Sequence, residues 1–555
     1  MNTLSLFLSF RPFRENLNTT LLATLCAGLL SASICNGQSL LPVWPLAYPA
    51  VPAGSFGELR GSHFHSGIDL ITNGTIGWPV LAVNDGYVAR IKISSGGYGQ
   101  TIYINHPDGT TTVYGHLSEF FGPMADTIET RQEQMKQFEL EFFPDSSLFP
   151  VKKGQLIAFS GNTGSSEGPH LHFEIRHTKS ELPFDPSFSG ITYADTLAPR
   201  IEKLVVYNAG PYGWLYGSSR NQILLNESTK KLNDTIIVTE NWFAGIAVTD
   251  LANGSDHPLG IASIIMSVDD SVVFRTAVDS FAFSESSMIK SVLDPTDRNV
   301  QVCLVLPGNK LPFYSHGNGM IHSRPGSTHQ VKIQASDRAG NQSQLLFFVR
   351  AEANSSSVNN KLPKSSLSDE VSCYEPVPVE IKETGQGLDK IISITPDEVV
   401  FSKTAALSFK RVKWFDVPSQ KVVMGKLLPD GGFSKISSTI TPNQIIARIN
   451  AGGSYGFRID TIAPLPGSCS FSHYDFKGNR IYEIPFRETL SGLVAVSCTI
   501  GENWILSTYY TNSDKIFISV NPDVYPLPVT FTLQLTDNCG NVSRTAYTIS
   551  NPFGN

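Results

Sequence analysis

Charge is scarce in this 555-residue chain: charged residues make up 16% of it, and the net charge of −7 collects into no basic block. That excludes the electrostatic footprint of a nucleic-acid-binding protein or a polybasic membrane patch. Long apolar runs are missing too, since beyond the N-terminal forty or so residues no stretch is apolar enough to cross a membrane as a helix. His-Glu-x-x-His occurs nowhere, which excludes the helical zinc motif whose glutamate acts as general base. Cysteine is sparse at seven residues, too few for a disulfide-built scaffold of this length.

What is present is turn-forming and apolar: 45 Gly, 34 Pro and 41% hydrophobic residues indicate a strand-rich, all-β globular chain. At roughly 150 residues per domain the length implies three or four units. Near the start, Arg11 and Arg14 precede "TTLLATLCAGLLSASIC" and the small residues of "NGQS". This reads as an export signal over residues 1–37, cleaved after Gly37, with lipidation at Cys35 as the alternative. The mature chain would then be periplasmic or displayed at the cell surface, with a short segment before Gly54 and no long inhibitory extension. Its five cysteines, Cys303, Cys373, Cys469, Cys498 and Cys539, are an odd set, of which one C-terminal pair could bridge.

From Gly54 to about Pro186, runs such as "PVLAVNDGYVARIKI" and "GYGQTIYINHPDGTTTVYGHL" alternate β-branched and aromatic residues, with Asp85-Gly86 and Asp108-Gly109 as hairpin signals. An antiparallel sheet is expected over 38–190. "DTIETRQEQMKQFELEFF" (126–143) lacks Gly and Pro and is expected to be a helix inserted between two strands. Beyond Pro186 the chain echoes itself: "DTLAPRI" (195–201) with "IDTIAPL" (459–465), and "IQASDRAGNQSQLLFFV" (333–349) with "LQLTDNCGNVSRTAYTI" (533–549). Such repeats suggest immunoglobulin-like β-sandwiches at 195–352 and 459–555, a polar linker at 353–373 and a further β-rich domain at 374–458.

Seven of the 12 histidines fall before residue 178: His63, His65, His106, His116, His170, His172 and His177. In "GPHLHFEI", side chains two apart share a strand face, so His170 and His172 project together while Leu171 and Phe173 point into the packed side. In "HSGID", Gly67 lets the backbone bend so that His65 and Asp69 can aim at one point. Two imidazoles and a carboxylate suit Zn²⁺ with a fourth position open. The remaining histidines read as structural or surface residues.

"HSGIDL", "VYGHL" and "GNTGSSEGPHLHFEI", in that order, resemble the HxxxD, YxHL and HxH motifs of the lysostaphin/LytM-type zinc metallopeptidases, which cut peptides in bacterial cell walls. The resemblance covers about residues 55–186. It implies a duplicated-hybrid-motif sheet, His65, Asp69 and His172 as zinc ligands, and His116 and His170 as second-sphere catalytic histidines. His63 then lines the approach or merely sits in the strand, and Glu174, on the face of His172, orients a ligand. The implied activity is a zinc endopeptidase acting on stem peptides or cross-links of peptidoglycan, with a D-alanyl–diaminopimelate bond as the preferred target and a glycine-rich peptide as the runner-up. Some relatives have lost ligands and act as scaffolds or activators of other wall hydrolases. The alternative is therefore a silent envelope scaffold whose β-sandwiches bind envelope partners.

Overall fold

The structure is a computed structural model that describes residues 42–210, 213–226, 228–353, 373–397, 399–410, 417–441, 444–475 and 477–551. The expected export signal and nearly all of the linker at 353–373 lie outside the described residues.

Runs of β-branched and aromatic residues build the first sheet, whose central strands are buried on both faces. Strands β1 (Pro52–Gly54), β2 (Ile68–Ile71), β3 (Pro79–Leu81), β4 (Gly86–Ile93), β5 (Gln100–Asn105) and β6 (Thr110–Phe120) lead into α1 (Pro123–Met135), the single α-helix of the described residues. They are followed by β7 (Leu140–Phe142), β8 (Pro150–Val151), β9 (Leu156–Ser160), β10 (His170–His177) and β11 (Pro183–Phe184). The main path of this antiparallel sheet runs β1-β2-β10-β6-β5-β4-β7. Asp108-Gly109 turns β5 into β6, with Gly109 at φ 84°. Asp85-Gly86 does not make the expected hairpin: β3 pairs with β9 and β4 with β5, and the Asp85 carboxylate instead accepts the Lys153 amide at 2.8 Å.

The helical insertion is shorter than the sequence suggests. α1 starts earlier, with Pro123 in its first turn, and ends at Met135, capped by Lys136 in the left-handed conformation (φ 50°). Residues 140–142 pair with β4, Phe142 opposite Ile91, because burying Leu140 against the sheet outweighs local helix propensity. Met124 and Ile128 of α1 join the same core.

Three further two-sheet units follow. Strands between Arg200–Asn208 and Gln342–Ala351 form a five-stranded and a six-stranded sheet around Trp242, Met266 and Phe347. Those between Glu380–Thr384 and Gly453–Ile459 form sheets of five and three strands around Met424 and Ile394. The last, Leu465–Pro466 to Val542–Ile549, forms sheets of five and four strands around Tyr482 and Phe531. The two sequence echoes become equivalent hairpins, Ser336 opposite Gln342 and Thr536 opposite Val542. All five described cysteines are free thiols, so the possible C-terminal bridge does not form.

These units do not hang free of the first sheet. Phe56 and Phe64 are buried in a cluster with Phe281, Leu311 and Phe313 of the first sandwich, and the Phe64 and Phe313 rings meet edge-on at 5.1 Å. At the other end, Tyr510 of the last unit enters the core of the first sheet beside Phe138, and Lys477 pairs with Asp126 of α1 at 2.9 Å.

Phe173, next to His172 on β10, is fully buried in the core on the opposite face of the strand. Truncating it (Phe173→Ala) is expected to cost about 3–5 kcal/mol, read as a lowered denaturant midpoint at unchanged slope.

Candidate metal centre

Strand register brings the polar residues together. β10 lies between β2 and β6, and His172 stands opposite Asp69 on one side and Gly115 on the other. Leu171, Phe173 and Ile175 face the core, which turns His170, His172, Glu174 and Arg176 to the opposite face. Gly67 allows the chain ahead of β2 to cross β10 closely: a Cβ there would lie 2.2 Å from the Phe173 carbonyl oxygen.

His65 Nε2, Asp69 Oδ1 and His172 Nδ1 converge. His65 Nε2 lies 3.1 Å from Asp69 Oδ1 and 3.0 Å from His172 Nδ1, and His172 Nδ1 lies 2.8 Å from Asp69 Oδ1. Each of the three residues offers a ligand atom within 4.8 Å of the others, and all three are buried. Donors about 2.1 Å from a tetrahedral zinc ion stand roughly 3.4 Å apart, so the set fits such an ion with small adjustments. The chemistry of the set, two imidazoles and one carboxylate, also matches zinc.

The outward-facing atoms of the trio are all anchored. His65 Nδ1 donates to the Ser55 carbonyl at 2.9 Å. His172 Nε2 lies 2.8 Å from Glu174 Oε1, which also accepts from Ser66 Oγ at 2.7 Å, while Arg176 Nε holds Glu174 Oε2 at 2.6 Å. Asp69 Oδ2 accepts from Arg60 Nη2 at 2.6 Å, and the Tyr98 ring stacks on His172 at 4.8 Å. Such partners fix which nitrogen faces an ion and how the ring is oriented.

Burial sets the charges. It lowers His65 to about 4, in spite of the neighbouring Asp69. Burial would raise Asp69, but the imidazoles of His65, His170 and His172 hold it well below the usual carboxylate range. For His172 burial opposes the charge, yet hydrogen bonds to Asp69 and Glu174 outweigh it and push the value up to about 9.

His116 and His170 stand beside this trio, their rings 4.7 Å apart. His116 adopts φ 58°, and its Nδ1 donates to the Thr163 carbonyl at 2.6 Å. His170 Nδ1 donates to the Gly168 carbonyl at 2.8 Å. A carbonyl can only accept, so Nδ1 carries a proton in each ring, and the neutral form of either ring leaves Nε2 as the acceptor. His170 Nε2 is buried, lacks a hydrogen-bond partner and lies 3.4 Å from Asp69 Oδ1. Burial, with the charges of His170 and His172, lowers His116 to about 3 and keeps it neutral.

His63 stays outside the cluster, exposed, its Nδ1 paired only with Ser62 Oγ. His106 and His177 are not part of it either: His106 bonds the Asp85 carbonyl and Thr112, and His177 packs on Phe184. Sequence reasoning missed Ser55, Arg60, Ser66, Tyr98 and Arg176. Arg176 carries a readable signal, two residues past Glu174 on the same strand face, whereas Arg60 reaches Asp69 through the fold of the loop ahead of β2 and Tyr98 arrives from a loop distant in sequence. Next to the site, a cavity of about 1030 Å³ opens between the first sheet and the last sandwich, lined by Thr163, Ser166, Glu167, Ile128, Tyr474 and Asn512.

Residues 63–133 and 149–186 match the model of peptidase family M23. The chain is 33% identical over 143 residues to an uncharacterized metalloprotease of Haemophilus influenzae, a match covering 25% of this chain and 25% of that protein. Against the DD-carboxypeptidase/endopeptidase Mpg of Neisseria meningitidis serogroup B the identity is 35% over 137 residues, 24% of this chain and 25% of the relative. The glycyl-glycine endopeptidase ALE-1 of Staphylococcus capitis is 32% identical over 128 residues, 23% of this chain and 27% of its own. The chain thus matches about a quarter of the length of each of these relatives.

The raised pKa of His172 in the metal-free protein gives a signed prediction. Its stabilising contribution is complete below the ordinary value of about 6.5 and is lost as pH rises toward about 9. Glu174→Gln removes one of the two carboxylates responsible. Histidine NMR titration of the metal-free variant should show His172 lowered, with a flatter stability profile between those two pH values; an unchanged titration would contradict the role given to Glu174.

Proposed function

We propose, from the premise that residues 63–186 form a peptidase family M23 domain, that this chain is an exported zinc endopeptidase that hydrolyses peptide bonds of bacterial peptidoglycan. The observation that carries the reading is the convergence of His65 Nε2, Asp69 Oδ1 and His172 Nδ1, with two further imidazoles at their side. His65, Asp69 and His172 would hold the ion. When bound, zinc supplies a Lewis acid and lowers the pKa of a water toward about 7.

The chain's own residues then manage protons and orientation. The unpartnered Nε2 of His170 accepts the proton released by the attacking water, its ring fixed by the bond from Nδ1 to Gly168. His116, neutral at rest, takes that same proton over from His170, whose ring lies 4.7 Å away, and its Nε2 then delivers it to the leaving amine. Arg60 directs Asp69 by occupying its second oxygen. Glu174, clamped by Arg176 and Ser66, holds His172 from behind.

Relatives named for DD-endopeptidase and glycyl-glycine endopeptidase activity favour a cell-wall peptide as substrate. A D-alanyl–diaminopimelate cross-link is the preferred target. Among the described residues no helix is long and apolar enough to cross a membrane, and the N-terminal signal-like sequence supports export to the periplasm or cell surface.

Purified wild-type protein should carry about one zinc per chain, and His65→Ala or Asp69→Ala should lose it; a folded wild type that binds no zinc would favour the scaffold reading. His116→Ala and His170→Ala should retain zinc yet lose at least about 100-fold in release of muropeptides from purified sacculi, read by mass spectrometry. Full activity in either variant would remove the role assigned to that histidine.

A further inference from the structure

The repeat motif assembles a second group of acid side chains, in the first sandwich. Asp195 belongs to the Asp-Thr-x-Ala-Pro entry, Asp337 heads the Asp-x-x-Gly-Asn turn, and Asp250 follows the strand Asn241–Thr249. Each offers an oxygen within 4.8 Å of the others. Asp250 and Asp337 are 3% and 4% exposed. Most of the oxygens have partners: Asp195 Oδ1 accepts from the Leu197 amide at 3.0 Å, and the two oxygens of Asp337 accept from the Asn341 amide at 2.9 Å and from its Nδ2 at 2.8 Å. Asp250 Oδ1 is buried and accepts no hydrogen bond.

Among the described residues no Lys or Arg forms an ion pair with any of these three carboxylates. Arg338, next along the turn from Asp337, is engaged elsewhere, with Asp185 at 2.8 Å and the carbonyls of Phe56 and Val278 at 2.9 and 2.6 Å. Burial, reinforced by the charges of Asp337 and Asp195, pushes Asp250 up to about 7. The repeat supplies a contrast. Around Asp460, Glu488 and Asp537 of the last sandwich, Glu488 Oε1 takes three backbone amides, Lys421 Nζ bonds Asn541 Oδ1 and Lys435 Nζ bonds the Ser491 carbonyl. Lysines bring positive charge to that cluster; the first sandwich has the acids without them.

We propose that Asp195, Asp250 and Asp337 bind a hard divalent cation of the Ca²⁺ class. The donor set is oxygen only, which suits such an ion and not zinc, and carbonyls and waters complete its six to eight ligands. The site also has a structural reach. Asp250 bridges Leu259 at the base of a loop whose Ser255 Oγ donates to the Pro52 carbonyl at 2.7 Å and whose Gly260 amide donates to Ser55 Oγ at 2.9 Å. The Ser55 carbonyl in turn fixes His65. A cation at the base of this loop therefore steadies the segment that aims His65, and the inference does not rest on the peptidase reading.

The test uses the full chain, dialysed free of alkaline-earth ions. Calorimetric titration with CaCl₂ to roughly 5 mM, above the 10⁻⁴–10⁻³ M range of extracellular calcium modules, should show one site, and the same Ca²⁺ should raise the first thermal transition by about 4 °C. Asp250→Asn should abolish both responses while unfolding no earlier than wild type in the absence of Ca²⁺, because it relieves carboxylate crowding. Should that variant fail to fold, Asp195→Asn, at the half-buried member, should weaken binding at least tenfold. Absence of calorimetric binding by wild type, or binding by Asp250→Asn equal to wild type, would overturn the proposal.

Discussion

The pairing of β2 with β10 is the constraint on which everything at the site depends. It sets Asp69 opposite His172 and turns both to the polar face, while Leu70 and Leu171, also paired, point into the core. Because strand side chains alternate with period two, a slip of one residue would send the carboxylate into the core and the leucine to the metal side. The buried apolar face thus specifies the register, and the register specifies the donor set. His65 is the member this pairing does not fix, since it precedes β2 and reaches the site through the bend at Gly67.

What fixes His65 comes largely from another unit. Phe64, its neighbour, is buried among aromatic rings of the first sandwich, and the Ser55 carbonyl that holds its Nδ1 belongs to a residue clasped by Gly260 of that sandwich. The last sandwich acts on the opposite flank. The Thr511 amide donates to the Ser95 carbonyl at 2.8 Å, and Asn512 bonds the Ser166 carbonyl on the loop that carries Gly168, the partner of His170. The sandwiches are structural walls of the site as well as appendages to it.

Much of this was legible in the sequence because it depends on short-range periodicity. The HxH pattern of β10, the glycine between His65 and Asp69 and the echoed Asp-x-x-Gly-Asn turns each express a local rule. Elements set by tertiary pairing were not legible. Residues 140–142 look helical and become a strand because β4 needs a neighbour, Asp85-Gly86 looks like a hairpin and joins strands with different partners, and Arg60 reaches Asp69 only because the loop ahead of β2 folds back onto that strand. The sequence also carried no sign that Phe56, Phe64 and Tyr510 would be buried by other units.

X-ray absorption spectroscopy at the zinc edge of the reconstituted full chain tests the central claim most directly. The account predicts a four-coordinate ion with two imidazole ligands and low-atomic-number neighbours only, losing one imidazole signature in His172→Ala. A sulfur shell, or a spectrum unchanged in that variant, would contradict it.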